Sequence, residues 1–175
     1  MHYSKPSDFA RFVLKKDDET VAISTSEECR LAALSLARQA ARSIDIVSRQ
    51  LDAQMYDSEE FCDAVAKLIT GSRRARVRAL LRYTDPVVKH GHRLLALSHR
   101  LSSFIELRIP SNEFDEYNSA FLIVDGAGVV HRTLADTFEG TASFNDPRRA
   151  RELGRQFEAM WQTSKSDVNL RRAHV

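Results

Sequence analysis

Apolar positions recur in two rhythms along the 175 residues. Some windows place them three and four apart, the spacing of one helix face, and others gather them in short β-branched runs. The first run, Thr20–Ile23, predicts a short strand. A helix follows over Ser26–Ala41, with Thr25 and Glu28 at capping-box spacing and Cys29, Ala33, Leu36, Ala37 and Ala40 on one face. Ser43–Ser48 reads as a buried strand through Ile44, Ile46 and Val47, and a polar loop, Arg49–Asp57, comes after it. A second helix opens after Asp57 or Ser58, carries Phe61, Val65, Leu68 and Ile69 as its stripe, and stops at Gly71.

The second half repeats the alternation. Ala75–Leu81 is a strand, broken by Thr84-Asp85-Pro86. A helix over Gly91–Leu101 carries Leu94, Leu97 and Leu101. Phe104–Ile109 is a strand, and Ser111–Tyr117 is an acidic, polar loop. Ala120–Val124 and Val129–Arg132 form a hairpin around Asp125-Gly126-Ala127-Gly128. Thr133–Asn145 shows no rhythm. The last helix has Asp146 as its cap, Pro147 at its first position, and Leu153, Phe157, Met160 and Trp161 as its stripe. Helices alternating with β runs predict an α/β fold, a mixed and mostly parallel sheet flanked by helices. With no repeat or linker, one domain is expected over residues 19–164. Residues 1–18 are expected to be a flexible arm that Phe9, Phe12 and Val13 could dock, and residues 165–175 a polar tail.

Composition narrows the class. No run approaches the ~20 apolar residues of a membrane span, and the N-terminal residues lack the apolar core of a secretory signal. Two cysteines outside any C-x-x-C pair fit buried reduced thiols and a cytoplasmic setting. The net charge of +2 does not by itself call for nucleic acid. The choice of cation is more specific: 20 Arg against 6 Lys, and arginine is the better fork for phosphate. A GC-rich codon bias would raise arginine equally well.

Three clusters could carry chemistry. Lys89, His90, His92 and Arg93 gather at a predicted helix start, where amides and dipole favour an anion; exposed, solvated side chains are the plainer alternative. Arg74, Arg76 and Arg78 alternate along a strand, which suits either an edge strand guarded by charge or a phosphate-tracking stripe. Asp52, Asp85 and Asp125 follow three different strands and could meet Arg49, Arg82 and His90 at one rim, as a ligand site or as a salt-bridged edge. No metal-ligand spacing, phosphate loop or nucleophile elbow occurs, so no cofactor or metal is expected.

The run Ala120-Phe121-Leu122-Ile123-Val124-Asp125-Gly126, within this order of elements, resembles one half of a phospholipase D superfamily enzyme, and small bacterial domains of that layout. In that superfamily the strand follows the pattern H-x-K-x4-D, and a Gly-Ser-x-Asn stretch comes after it. The His attacks phosphorus; the Lys and Asn hold phosphate oxygens. Here the resemblance places Asn118 at the His, Ala120 at the Lys and Asp125 at the Asp. Ala142-Ser143-Phe144-Asn145 resembles the later stretch but comes too far along, and Asn145 could equally help to cap the last helix. An amide cannot form the phospho-enzyme bond, and alanine brings no charge to a phosphorane.

The resemblance therefore implies a non-catalytic binding domain for a phosphate-bearing ligand, either nucleic acid or a phosphorylated small molecule. A hydrolase using a relocated His (His90, His92 or His131) and a protein-interaction module are the alternatives. Superfamily enzymes pair two halves about a pseudo-twofold axis, so a single half is expected to form a homodimer.

Overall fold

In the computed structural model, which describes residues 6–172, the alternation becomes seven strands and seven helices. The strands are β1 (Thr20–Ile23), β2 (Ser43–Ser48), β3 (Arg76–Leu81), β4 (Ile105–Arg108), β5 (Ala120–Val124), β6 (Gly128–Arg132) and β7 (Gly140–Ser143). The helices are α1 (Ser26–Gln39), α2 (Ala53–Tyr56), α3 (Glu59–Gly71), α4 (Asp85–His90), α5 (Arg93–Arg100), α6 (Pro147–Gln162) and α7 (Val168–Arg172). One mixed sheet holds all seven strands in the order β1-β7-β6-β5-β2-β3-β4. Five strands run in one direction and β5 and β7 run against them. Only β2–β3 and β3–β4 are parallel neighbours, while the other four pairings are antiparallel.

Local chemistry explains most boundaries. Thr25 accepts the amide of Glu28 and Ser58 that of Phe61, so both capping residues act as the sequence predicts. Asp146 caps α6 through the Arg149 amide, with Pro147 in the first turn. The β5–β6 turn has Asp125 at φ 54° and Gly126 at φ 66°, the two left-handed positions of a type I′ hairpin, closed by the Ala127 amide donating to Val124.

Each face of the sheet is covered differently. Ile44, Ile46, Leu122, Val124 and Val130 join the larger core with residues of α1, α2, α3 and α5. Val47, Leu80, Phe121, Ile123 and Val129 join the smaller one, closed by Leu153, Phe157 and Met160 of α6. Period-two alternation along β2, β5 and β6 therefore divides the strand residues between two cores rather than between core and water.

Four expectations change. The arm is not free where it is described: a 3-10 helix over Pro6–Arg11 leads to Phe9 and Phe12, both buried. The Phe9 and Phe12 carbonyls accept bonds from Ser35 and Gln39 of α1, and residues 1–5 lie outside the described residues. The tail is likewise tied down to residue 172, through paired backbone at Ile109 and Lys165 and the buried Leu170; residues 173–175 lie outside the described residues. The strand carrying Arg76 and Arg78 is not an edge, because β3 lies between β2 and β4. The stretch without rhythm contains β7, whose Gly140 lies so close to β6 that a Cβ there would sit 2.1 Å from the His131 carbonyl.

Candidate functional site at the rim beyond β2 and β3

Topology divides the predicted site residues between two opposite rims. β2 and β3 are parallel, so Arg49, Asp52, Arg82 and Asp85 leave the sheet at one end. β5 runs against β2, pairing Val47 with Phe121 and Ile44 with Val124. Asn118 and Ala120, at the start of β5, thus reach the Arg49 rim, and Asp125 is carried to the other end. Asp125 accepts the amides of Ala41, Arg42 and Ser43 at 2.8–2.9 Å, fastening the hairpin turn to the start of β2. Asn145 also lies at that far end, since β7 ends beside Val129, and its amide donates to Asp18 at 2.6 Å. The three aspartates do not converge, and Asn145 is remote from Asn118.

At the first rim the side chains engage one another. The Arg49 guanidinium donates to the amide oxygen of Asn118. Arg82 donates to the carbonyls of Phe114 and Asp115 and holds the Ser111–Tyr117 loop over the sheet end. Tyr117 closes the same cover by donating to Gln156 of α6 at 2.6 Å. The space left among Arg49, Arg82, Phe114 and Tyr117 is about 20 Å³, room for about one water and not for a phosphate.

Ala120 lies on the other face, buried and directly across from Arg132 of β6. Cross-strand partners share a face, so Arg132 stands where a cation at position 120 would have stood. Its guanidinium is fully engaged. It meets Asp52 at 2.5 Å, donates to the carbonyls of Ala135 and Thr137, and lies over the Phe138 ring. Ser48 donates to the same Asp52 carboxylate at 3.1 Å. The turn presenting Asp52 is constrained, with the buried Leu51 at φ 58°, a left-handed conformation costing a non-glycine about 1–3 kcal/mol.

His92 holds that turn. It is buried, its Nε2 bonds the Leu51 carbonyl at 3.0 Å, and its Nδ1 accepts the Leu94 amide as the cap of α5. Burial lowers its pKa, outweighing the nearby Asp57. The predicted helix over Gly91–Leu101 is α5, and an unforeseen short helix, α4, precedes it, so Lys89 and His90 end α4. Both are exposed, and Arg93 pairs with Asp57 at 3.3 Å. At the start of α5 the Arg93 amide donates to Asp57 and the Leu94 amide to His92. His131 sits on the α6 face, its pKa lowered by burial and by Arg149, which lies 2.5 Å from Nδ1.

The sequence reading missed Arg132, and placed Arg78 on a charged strand face without its partners. Arg78 is buried on β3, paired with Asp45 at 2.9 Å and Glu158 at 2.5 Å, and its guanidinium lies over Phe157 and Trp161. The matching signal was available: Asp45 and Arg78 each interrupt an apolar strand, and an interrupted pair on adjacent strands is a candidate buried ion pair.

Similar architectures occur in solved structures. Nuc, a phospholipase D family member from Salmonella typhimurium, matches 85% of this chain and 99% of its own, with 19% identity and a TM-score of 0.57. TrmBL2, an archaeal chromatin protein, matches 87% of this chain with 14% identity and a TM-score of 0.60. Phosphatidylserine synthase from Haemophilus influenzae Rd KW20 matches 89% with 10% identity and a TM-score of 0.56. This chain spans 55% of TrmBL2 and 40% of the synthase. The fold is phospholipase D-like. No curated protein sequence matches the chain. It belongs to the family described as Domain of unknown function (DUF7931), whose profile covers residues 25–173. Among the described residues no helix is long and apolar enough to cross a membrane.

Proposed function

We propose that this chain is a non-catalytic binding domain that recognises a phosphate-bearing ligand on a phospholipase D-like scaffold. The observation that carries the reading is the rim itself. The resemblance sets Asn118 at the place of a nucleophilic imidazole and buried Ala120 at that of an ammonium. Arg132, directly across from Ala120 on β6, is sealed into a pair with Asp52. In-line attack on phosphorus needs a nucleophile as well as a cation, and Asn118, bonded to the Arg49 guanidinium, supplies no nucleophile. Two of the three candidate histidines are engaged: both nitrogens of His92 are bonded in the interior, and His131 faces Arg149, while His90 is exposed at the end of α4.

Binding remains within reach of the chemistry. TrmBL2, of which this chain spans 55%, is described as a chromatin protein with a novel mode of DNA binding, which is compatible with a nucleic-acid ligand. Arginine-rich surface supplies the fork that phosphate takes. In the same reading two copies pair through equivalent surfaces, and light scattering is expected to give twice the monomer mass. The test of function is fluorescence anisotropy with labelled DNA and RNA duplexes over a salt series, beside a turnover assay on the same probes. Binding that weakens steeply with salt, without cleavage, supports the reading. Binding indifferent to salt, or cleavage lost on His→Ala substitution, overturns it.

A further inference from the structure

The rim opposite Asn118 is where free positive charge collects. Two open depressions of about 480 and 550 Å³ adjoin there and share Ser43, Arg76 and Gly126 in their walls. Arg42 and Arg74 line the first, and Arg151 and Arg155, one helical turn apart on α6, line the second. All five arginines are exposed. Arg42, Arg74, Arg151 and Arg155 make no ion pair with any described residue, and Arg76 has only Glu158 at 3.9 Å.

The acids in these walls are already engaged. Asp125 is occupied by three backbone amides. Asp45 and Glu158 both bond the buried Arg78. Five lining guanidinium groups therefore face three carboxylates that already have partners. Sequence explains the gathering. Arg42 precedes β2, Arg74 precedes β3 and Arg76 opens it, and parallel strands start at the same end of a sheet. The Asp125–Gly126 turn then brings that end beside α6.

We propose that this arginine-lined groove is a nucleic-acid surface that takes the phosphodiester backbone of a duplex. The inference rests on the phosphate-binding reading above and gives it a place and a ligand class. The lining has no aromatic side chain on which a base could stack, which argues against single-strand recognition. The exposed large apolar residues, Val13, Tyr83, Leu134 and Val168, lie outside the groove, which argues against insertion into a lipid surface. Guanidinium forks without base-edge readers predict binding that is blind to sequence and governed by salt.

The experiment is anisotropy of a fluorescein-labelled, mixed-sequence DNA duplex titrated with the full chain. It is repeated with Arg74→Ala, Arg155→Ala, their double variant, and Lys89→Ala with Arg93→Ala at the other rim. Circular dichroism confirms folding of each exposed-site variant. Each groove substitution is expected to weaken binding and to reduce the log–log salt slope by about 1, with the opposite-rim variant matching wild type. Wild-type binding that the groove variants leave unchanged overturns the groove while leaving the phosphate-binding reading standing. No duplex binding, with heat of binding for inorganic pyrophosphate in calorimetry, overturns the duplex as ligand. Binding to neither overturns both. Groove-dependent binding to phosphatidylserine vesicles without duplex binding also overturns the nucleic-acid assignment.

Discussion

Asp52 and Arg132 meet in a 2.5 Å ion pair that joins the turn after β2 to the last residue of β6, with only 3% of the arginine side chain exposed. Breaking a buried pair by removing one partner leaves an uncompensated charge and costs about 3–5 kcal/mol. Arg132→Met and Asp52→Leu are each expected to lower stability by that amount in urea unfolding. The double variant is expected to recover much of the loss. A double variant whose loss equals the sum of the two single losses would show that the pair has no coupling energy.

Restoring the two missing groups is not expected to restore chemistry. Asn118→His together with Ala120→Lys sets a second cation directly across from Arg132, in a buried site. The variant is expected to be less stable than wild type and to leave bis(p-nitrophenyl) phosphate unhydrolysed above the buffer rate. Turnover by the double variant that disappears when Asn118 is restored would contradict the reading of a sealed rim.

Arg78 anchors α6 to the sheet, and its two carboxylate partners differ in weight. Asp45 is largely buried, and burial pushes its carboxyl above the usual range despite Arg78. Glu158 is half exposed, and Arg78 holds its carboxyl below the usual range. Arg78→Met is expected to cost about 3–5 kcal/mol by stranding Asp45, and Glu158→Gln no more than about 1 kcal/mol. Trp161 fluorescence, sensitive to the guanidinium lying over the ring, reports both unfolding curves.

His92 makes the fold sensitive to mild acid. Its folded pKa is below the ordinary value near 6.5, chiefly through burial. The unfolded chain therefore takes up the proton first as pH falls, and stability drops from about pH 6.5 down to the folded pKa. Above that window His92 is neutral in both states and contributes no slope. His131, lowered likewise, adds to the same window. Urea midpoints at several pH values are expected to fall on acidification, and less steeply in His92→Asn, which can still cap α5. An unchanged slope in that variant would remove His92 as the cause.

Much of this architecture was legible in the sequence, for reasons that differ by element. β2 and β5 were found as Ser43–Ser48 and Ala120–Val124 because both are apolar runs flanked by polar residues. The caps Thr25, Ser58 and Asp146 were readable because a cap is a local bond. β7 was not, because Gly140-Thr141-Ala142-Ser143 is small and polar and is a strand only through pairing with β1 and β6. The site was half legible. Asn118 and Ala120 lie at the rim beyond β2 and β3, but strand direction, which no local pattern encodes, sent Asp125 and Asn145 to the other end. His92 looked like a ligand because sequence cannot distinguish a histidine that binds from one that caps a helix in the interior.

The most direct test of the central claim is the integrity of a labelled DNA duplex after long incubation with saturating wild-type chain at low salt, read on a denaturing gel beside anisotropy of the same sample. The account predicts a duplex that is bound and uncut. Cleaved strands that accumulate with the protein, and cease to when a histidine is replaced, would contradict it.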